Sequence, residues 1–87
     1  MTNDELDATM TTALQTYVRA FCEQPTLALL QVNITDEFAQ ANLHLAPADY
    51  AEIESGPLAK HFTGCFQQLV ESLAPGRAFM GLYFAQG

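Results

Sequence analysis

The sequence predicts an α+β domain in which a three-stranded sheet carries two long helices packed on one face. Two long stretches repeat apolar residues every three and four positions, which is the spacing of one helix face. Three shorter runs are apolar or alternate between apolar and polar residues, as strands do. In chain order these segments read α-β-β-(α)-α-β, and 87 residues suit a single domain, residues 1–87.

The first predicted helix covers residues 3–23. Thr2 followed by Glu5 three positions later is typical of a capping box at a helix start. Pro25 cannot continue a helix, so the helix must end before it. The apolar stripe of this helix consists of Leu6, Met10, Ala13, Leu14, Tyr17, Val18 and Phe21.

The second long helix is predicted over residues 58–74, where Pro75 and Gly76 end it. A shorter helix is predicted over residues 47–54, because Pro47 suits the first helical position. Its acids Asp49 and Glu52 lie on one face, and we expect that face to be solvated. The apolar stripe of the second long helix consists of Leu58, Phe62, Cys65, Phe66, Leu69, Val70 and Leu73.

The runs 27–34 and 38–45 alternate around the polar residues 35–37, which predicts a β-hairpin. A third strand is predicted over residues 78–84. Strict alternation there places Met80, Leu82 and Phe84 on one face and Phe79 and Tyr83 on the other, while Gly81 suggests a bulge or a close backbone approach.

One face of the predicted sheet is left without a helix and is almost free of charge. Interfaces favour aromatic side chains and are poor in Lys, Glu and Asp, so we expect a second copy or a partner to cover it. The interface candidates are Leu27, Leu29, Phe38, Phe79 and Tyr83. The weaker candidates for ligand binding on the same face are Gln31, Asn33, Gln40, Asn42, His44 and Tyr83.

The net charge is −7, and residues 1–57 hold nine of the ten acids but one of the three bases. Such a chain repels phosphate backbones, so we expect neither nucleic acid nor an anionic membrane as a partner. A basic protein partner is compatible with this charge. Because the first residues are acidic and polar rather than basic and then apolar, we expect no signal peptide and a cytoplasmic location.

His61 and Cys65 lie four residues apart on the second long helix, the spacing of one helix face. Zinc takes three or four ligands, whereas the whole chain has two cysteines and two histidines, without a CxxC or HExxH motif. Cys65 belongs to the apolar stripe and His61 to its flank. We therefore expect no metal and no cofactor, and we interpret both residues as parts of a core helix.

The element order resembles that of one class of KH-type RNA-binding domains and that of BolA-like proteins. The stretch at residues 54–60, "ESGPLAK", has one glycine where the KH loop has GxxG with basic neighbours. The turn at residues 35–37 is shorter than the BolA loop that carries a metal-coordinating histidine. We carry no functional residue across, because element order alone does not assign function.

These observations predict a small acidic binding or regulatory module without catalytic activity. We expect a homodimer formed through the open sheet face, together with a protein partner. The alternative is a small-molecule- or metal-binding protein, or an enzyme, with a polar site on that face or at the dimer interface.

Overall fold

A computed structural model describes residues 2–86 and confirms the predicted α+β class and element order. A three-stranded mixed sheet carries the helices packed against it. The elements are α1 (Asn3–Arg19), a 3₁₀ turn (Pro25–Leu27), β1 (Leu29–Ile34), β2 (Phe38–Leu45), α2 (Pro47–Glu54), α3 (Pro57–Leu73) and β3 (Ala78–Gln86). None of the helices within residues 2–86 is both long and apolar enough to cross a membrane.

The strand order is β1-β2-β3, with β1 and β2 antiparallel and β2 and β3 parallel. The predicted hairpin is confirmed, and Thr35 closes it. The Thr35 hydroxyl accepts hydrogen bonds from the backbone N–H groups of Glu37 and Phe38, and the Thr35 N–H donates to the Phe38 carbonyl. This local closure sets the register that places Leu29 opposite His44.

The helix α1 begins as predicted but ends four residues earlier. The Thr2 hydroxyl accepts a hydrogen bond from the Glu5 N–H, and the Glu5 carboxylate accepts one from the Thr2 N–H, which is a complete capping box. After Arg19 the backbone forms tighter turns than those of an α-helix, since the Cys22 N–H donates to the Arg19 carbonyl, three residues back. The chain thereby turns toward β1 before Pro25 is reached.

The core lies between the sheet and the helices, with α1 over β1 and α3 over β3. The predicted alternation of the hairpin is confirmed, because the even residues of β1 and the odd residues of β2 face the helices. Ala39 and Ala41 are fully buried, and so are Phe62 and Phe66 of α3. All four belong to one hydrophobic cluster between the sheet and the helices.

The predicted phase of β3 is wrong at its start, because the strand contains a bulge. Ala39 of β2 pairs with Phe79, but Ala41 pairs with Leu82, so β3 has one residue more than β2 over this interval. Gly81 lies within the bulge at φ +99°, a backbone conformation that side chains other than glycine rarely adopt. Glycine at this position therefore makes the bulge possible.

The bulge moves Phe79 to the helix-covered face. Strict alternation had placed Phe79 with Tyr83, but its ring packs against Phe66 with ring centroids 5.5 Å apart. Met80, predicted on the same face as Leu82, is exposed instead. One extra residue reverses the phase of everything before it. Phe79 therefore packs against the core, and the prediction that it lies on the uncovered face is wrong.

Leu27 also departs from its predicted place. It ends the 3₁₀ turn rather than lying in β1, which starts at Leu29. Pro25 begins that turn, and its fixed φ angle favours a turn over an extended start. Leu27 is exposed but is not part of the paired sheet.

Candidate functional site

The side of the sheet that faces away from the helices is the candidate functional site, which we call the open sheet face. None of its side chains is a lysine, arginine, aspartate or glutamate. By strand pairing and alternation its members are Leu29, Gln31, Asn33, Phe38, Gln40, Asn42, His44, Ala78, Met80, Tyr83 and Ala85.

The polar side chains predicted on this face do lie together on it. Asn33 and Gln40 are opposite each other, and the Asn33 amide donates to the Gln40 oxygen at 3.2 Å. The Gln40 amide in turn approaches the Asn42 oxygen at 3.5 Å. Each amide has both donor and acceptor groups, so this short chain of amides can offer further hydrogen bonds to water, to a ligand or to a second protein surface.

Four large apolar side chains complete the open sheet face. Leu29 is 56% exposed, Tyr83 52%, Met80 49% and Phe38 36%. Leu29 lies opposite His44, whereas Phe38 lies six residues away from His44 along β2, about 20 Å at the usual strand rise. Leu29 and Phe38 therefore lie at opposite ends of the face, whereas Tyr83, which pairs with Asn42, lies beside the amides.

Tyr83 is held in place by the bulge of β3. Its hydroxyl donates to the Met80 carbonyl at 2.9 Å. A side chain added at Gly81 would come within 3.9 Å of the Tyr83 ring, which therefore lies beside the glycine. The bulge thus has two effects: it moves Phe79 into the core and it gives Tyr83 a defined position on the open sheet face.

Asp49 is a residue that the sequence interpretation placed wrongly. It was expected on a solvated acidic face, yet among the described residues it is the one charged side chain that is buried. Its two carboxylate oxygens accept hydrogen bonds from the backbone N–H groups of Glu23 and Gln24, at 2.9 and 3.0 Å. Both oxygens face the protein backbone, so Asp49 ties α2 to the segment after α1 and is not presented to a substrate.

Cys22 lies in the same region, and its environment disfavours the thiolate. Burial raises the pKa of the Cys22 thiol, the negative charge of Asp49 raises it further, and the positive charge of Arg19 lowers it. The thiol donates to the Val18 carbonyl at 3.5 Å. A thiol kept protonated is a poor nucleophile and a poor metal ligand.

His61 and Cys65 do not form a metal site with neighbours in residues 2–86, where no three His, Cys, Asp or Glu side chains are grouped to hold an ion. The His61 ring is hydrogen-bonded to the Tyr17 hydroxyl across α1 and α3. Cys65 is a free thiol that packs against the core and borders a groove between the same two helices. The sequence placed His61 on the flank of the stripe, but nothing in it indicated Tyr17 as the partner.

The fold and the open sheet face define an α+β domain with one uncovered, uncharged sheet surface. Comparisons of the chain with protein-family models, with curated proteins and with solved structures found no match.

Proposed function

We propose that this protein is a small binding module without catalytic activity that acts as a homodimer through its open sheet face. The observation that carries the proposal is the composition of that face: large exposed apolar groups and amides, with no charged side chain, on a chain of net charge −7. The cost of leaving Leu29, Phe38 and Tyr83 in water is relieved when a second surface covers them.

A second copy fits this face better than a charged partner does. Two copies of a chain with net charge −7 repel each other, but that repulsion is smallest where neither surface carries charge. A basic partner would find no counter-charge on the open sheet face. The amides of Asn33, Gln40 and Asn42 can pair with the same groups of the second copy, because each amide both donates and accepts.

The size of the face predicts how strong this dimer is. With eight residues in β2, the flat footprint is about 26 Å long and about 14 Å wide at usual strand dimensions. The area of this footprint is smaller than the roughly 800 Å² that each partner buries in a standard interface. We therefore expect a reversible dimer that dissociates at micromolar concentrations.

A basic protein partner is the second part of the proposal, and the charge distribution supports it. Acidic residues lie at the start of α1 and in the hairpin turn. The Asn3 amide links these two segments by donating a hydrogen bond to the Asp36 carboxylate at 3.1 Å. Arg77 is the nearby base, 4.0 Å from Asp36. We call this surface the acidic end; its acids are Asp4, Glu5, Asp7, Asp36 and Glu37. A dimer through the sheet leaves this end free to steer a basic partner.

Dimerisation is tested by sedimentation equilibrium over a range of protein concentrations. Asn42→Asp keeps the shape of the side chain but adds a charge at the centre of the open sheet face, and we expect it to weaken the dimer at least about tenfold. Gln67→Glu makes the same kind of change on the exposed side of α3 and should leave the dimer intact. A wild-type monomer at all concentrations, or equal dimerisation of both variants, contradicts the proposal.

The basic partner is tested with an oligolysine peptide at low ionic strength. Binding should weaken when Asp4 and Asp7 are both replaced by Asn, and it should weaken with added salt. Replacing Glu52 and Glu54 by Gln removes charge from α2 instead and serves as the control. Equal weakening by both sets means that net charge alone, not the acidic end, attracts the peptide.

The chain of amides supports one alternative function, a polar small-molecule site on the open sheet face. A neutral polar ligand could bind between Asn33, Gln40 and Asn42 in place of a second copy. A thermal-shift screen against metals and metabolites tests this function. A metabolite that raises the melting temperature and also dissociates the dimer favours the alternative, whereas a flat response favours the dimer.

A further inference from the structure

A groove of about 340 Å³ opens between α1 and α3, on the outer side of the helices and away from the open sheet face. It lies at the lower end of the about 300–1,000 Å³ typical of small-molecule pockets. The groove is lined by Ala13, Leu14 and Tyr17 of α1 and by Cys65, Gln68, Leu69 and Ser72 of α3.

The lining shows which chemistry this groove accepts. Ala13 and Leu69 provide apolar surface above the buried Leu14, and Tyr17, Gln68 and Ser72 carry polar groups. No lysine, arginine, aspartate or glutamate lines it. A charged ligand would lose part of its hydration in this open groove without gaining an opposite charge, and desolvation of an unpaired charge is costly. A neutral ligand loses much less.

One wall of the groove is fixed in place before any ligand arrives. The Tyr17 hydroxyl is hydrogen-bonded to the His61 ring. The Tyr17 ring also meets the rings of Phe21 and Phe62 edge-on, with centroids 5.3 and 6.0 Å away. Phe62 is fully buried in the core, so this aromatic cluster anchors Tyr17 to the fold. A preformed wall reduces the entropy that binding must overcome.

We infer that the groove between α1 and α3 binds a small, uncharged ring compound that carries one hydrogen-bonding group. The ring lies against Ala13, Leu69 and the side of Tyr17. The polar group meets the Gln68 amide or the Ser72 hydroxyl. This site lies on the side of the molecule opposite the proposed dimer interface, and the failure of either proposal leaves the other standing.

Three probes of nearly equal shape test the inference: benzamide, which is neutral, benzoate, which is an anion, and benzylammonium, which is a cation. Each is titrated to millimolar concentration into the ¹⁵N-labelled full chain at neutral pH, and amide shifts are followed by NMR. We expect benzamide to shift the amides of residues 13–17 and 65–72 and to bind at least about tenfold more tightly than either ion. Shifts confined to the open sheet face, no shifts with benzamide, or tighter binding of an ion overturn the inference.

A variant whose side chain fills the groove tests the same site, and a second variant with the same substitution elsewhere is its control. Ala13→Phe places a ring in the groove from an exposed helix position, and we expect it to weaken benzamide binding at least about tenfold. Ala51→Phe adds the same ring at an exposed position of α2 and should leave binding unchanged. Circular dichroism checks that both variants are folded; if Ala13→Phe does not fold, Ser72→Phe replaces it. Binding retained in a folded, filled variant overturns the inference.

Discussion

The Asp49 carboxylate holds the backbone of Glu23, whose N–H donates to it at 2.9 Å, although the two residues are 26 positions apart. Its second oxygen accepts from the Gln24 N–H at 3.0 Å. Asp49 lies in the first turn of α2, where a negative charge also suits the helix dipole. One buried side chain thus joins α2 to the segment in which α1 gives way to β1.

Replacement of Asp49 by Ala should destabilise the protein by about 2 kcal/mol, because two backbone N–H groups lose their acceptor. Asp49→Asn keeps one acceptor oxygen and should cost about half as much. The free energy of unfolding from urea denaturation measures both effects. Glu52→Ala, an exposed change on the same helix, is the control and should stay within about 0.5 kcal/mol of wild type. Equal stability of Asp49→Ala and wild type contradicts this role.

Gly81→Ala should destabilise the protein by about 1–3 kcal/mol, since alanine at φ +99° is strained. An added Cβ meets nothing closer than 3.9 Å, so the cost comes from the backbone and not from a clash. Gly64→Ala is the matched change inside α3, where open space surrounds the position, and it should stabilise by about 0.5–1 kcal/mol. Thermal unfolding compares the two; equal effects argue against a strained bulge.

Cys22 should make the protein less stable at alkaline pH. Its folded-state pKa is raised from the ordinary value of 9.0, so the unfolded chain releases the thiol proton first as the pH rises. The unfolded state then binds fewer protons than the folded state, and the free energy of unfolding falls above pH 9.0. Below that pH the thiol is protonated in both states and does not affect how the free energy of unfolding changes with pH.

Urea denaturation of wild type and Cys22→Ala across this pH range isolates the effect of Cys22. The difference between the two free energies of unfolding should be constant below pH 9.0 and should change above it, as wild type loses stability faster. The other alkaline titrations occur in both proteins and cancel in the difference. A constant difference over the whole range contradicts the raised pKa.

The proposed dimer should become tighter as salt is added. The two chains, each of net charge −7, repel each other, and salt shortens the range of that repulsion from about 30 Å at 0.01 M to about 8 Å at 0.15 M. Sedimentation equilibrium in low and high sodium chloride should therefore show a several-fold lower dissociation constant at high salt. The opposite trend would indicate that charge pairs cross the interface.

Much of the fold follows from patterns within single segments. The three- and four-residue repeats located α1 and α3, and the alternation of the hairpin assigned every residue of β1 and β2 to its correct face. The same patterns brought the polar residues of the candidate site onto one surface, from Gln31 to His44. These features are predictable because helix and strand periods repeat along the chain and need no knowledge of distant contacts.

Other features depend on contacts between distant segments, and the sequence did not indicate them, apart from the bulge that Gly81 suggested. Asp49 is buried because the chain after α1 turns back onto α2. The pairing of β3 with β2 requires one extra residue at the bulge, which places Phe79 on Phe66 instead of beside Tyr83. The groove lies between α1 and α3, two helices that are distant in the chain and are joined by the hydrogen bond between Tyr17 and His61.

The sequence by itself therefore determined the elements and the two faces of the hairpin, because each segment carries its own period. The tertiary structure alone decided the phase of β3, the burial of Asp49 and the partner of His61. Each of these depends on which backbone groups and rings are in contact in the folded protein. Residues far apart in the chain carry no local sequence pattern that specifies such contacts.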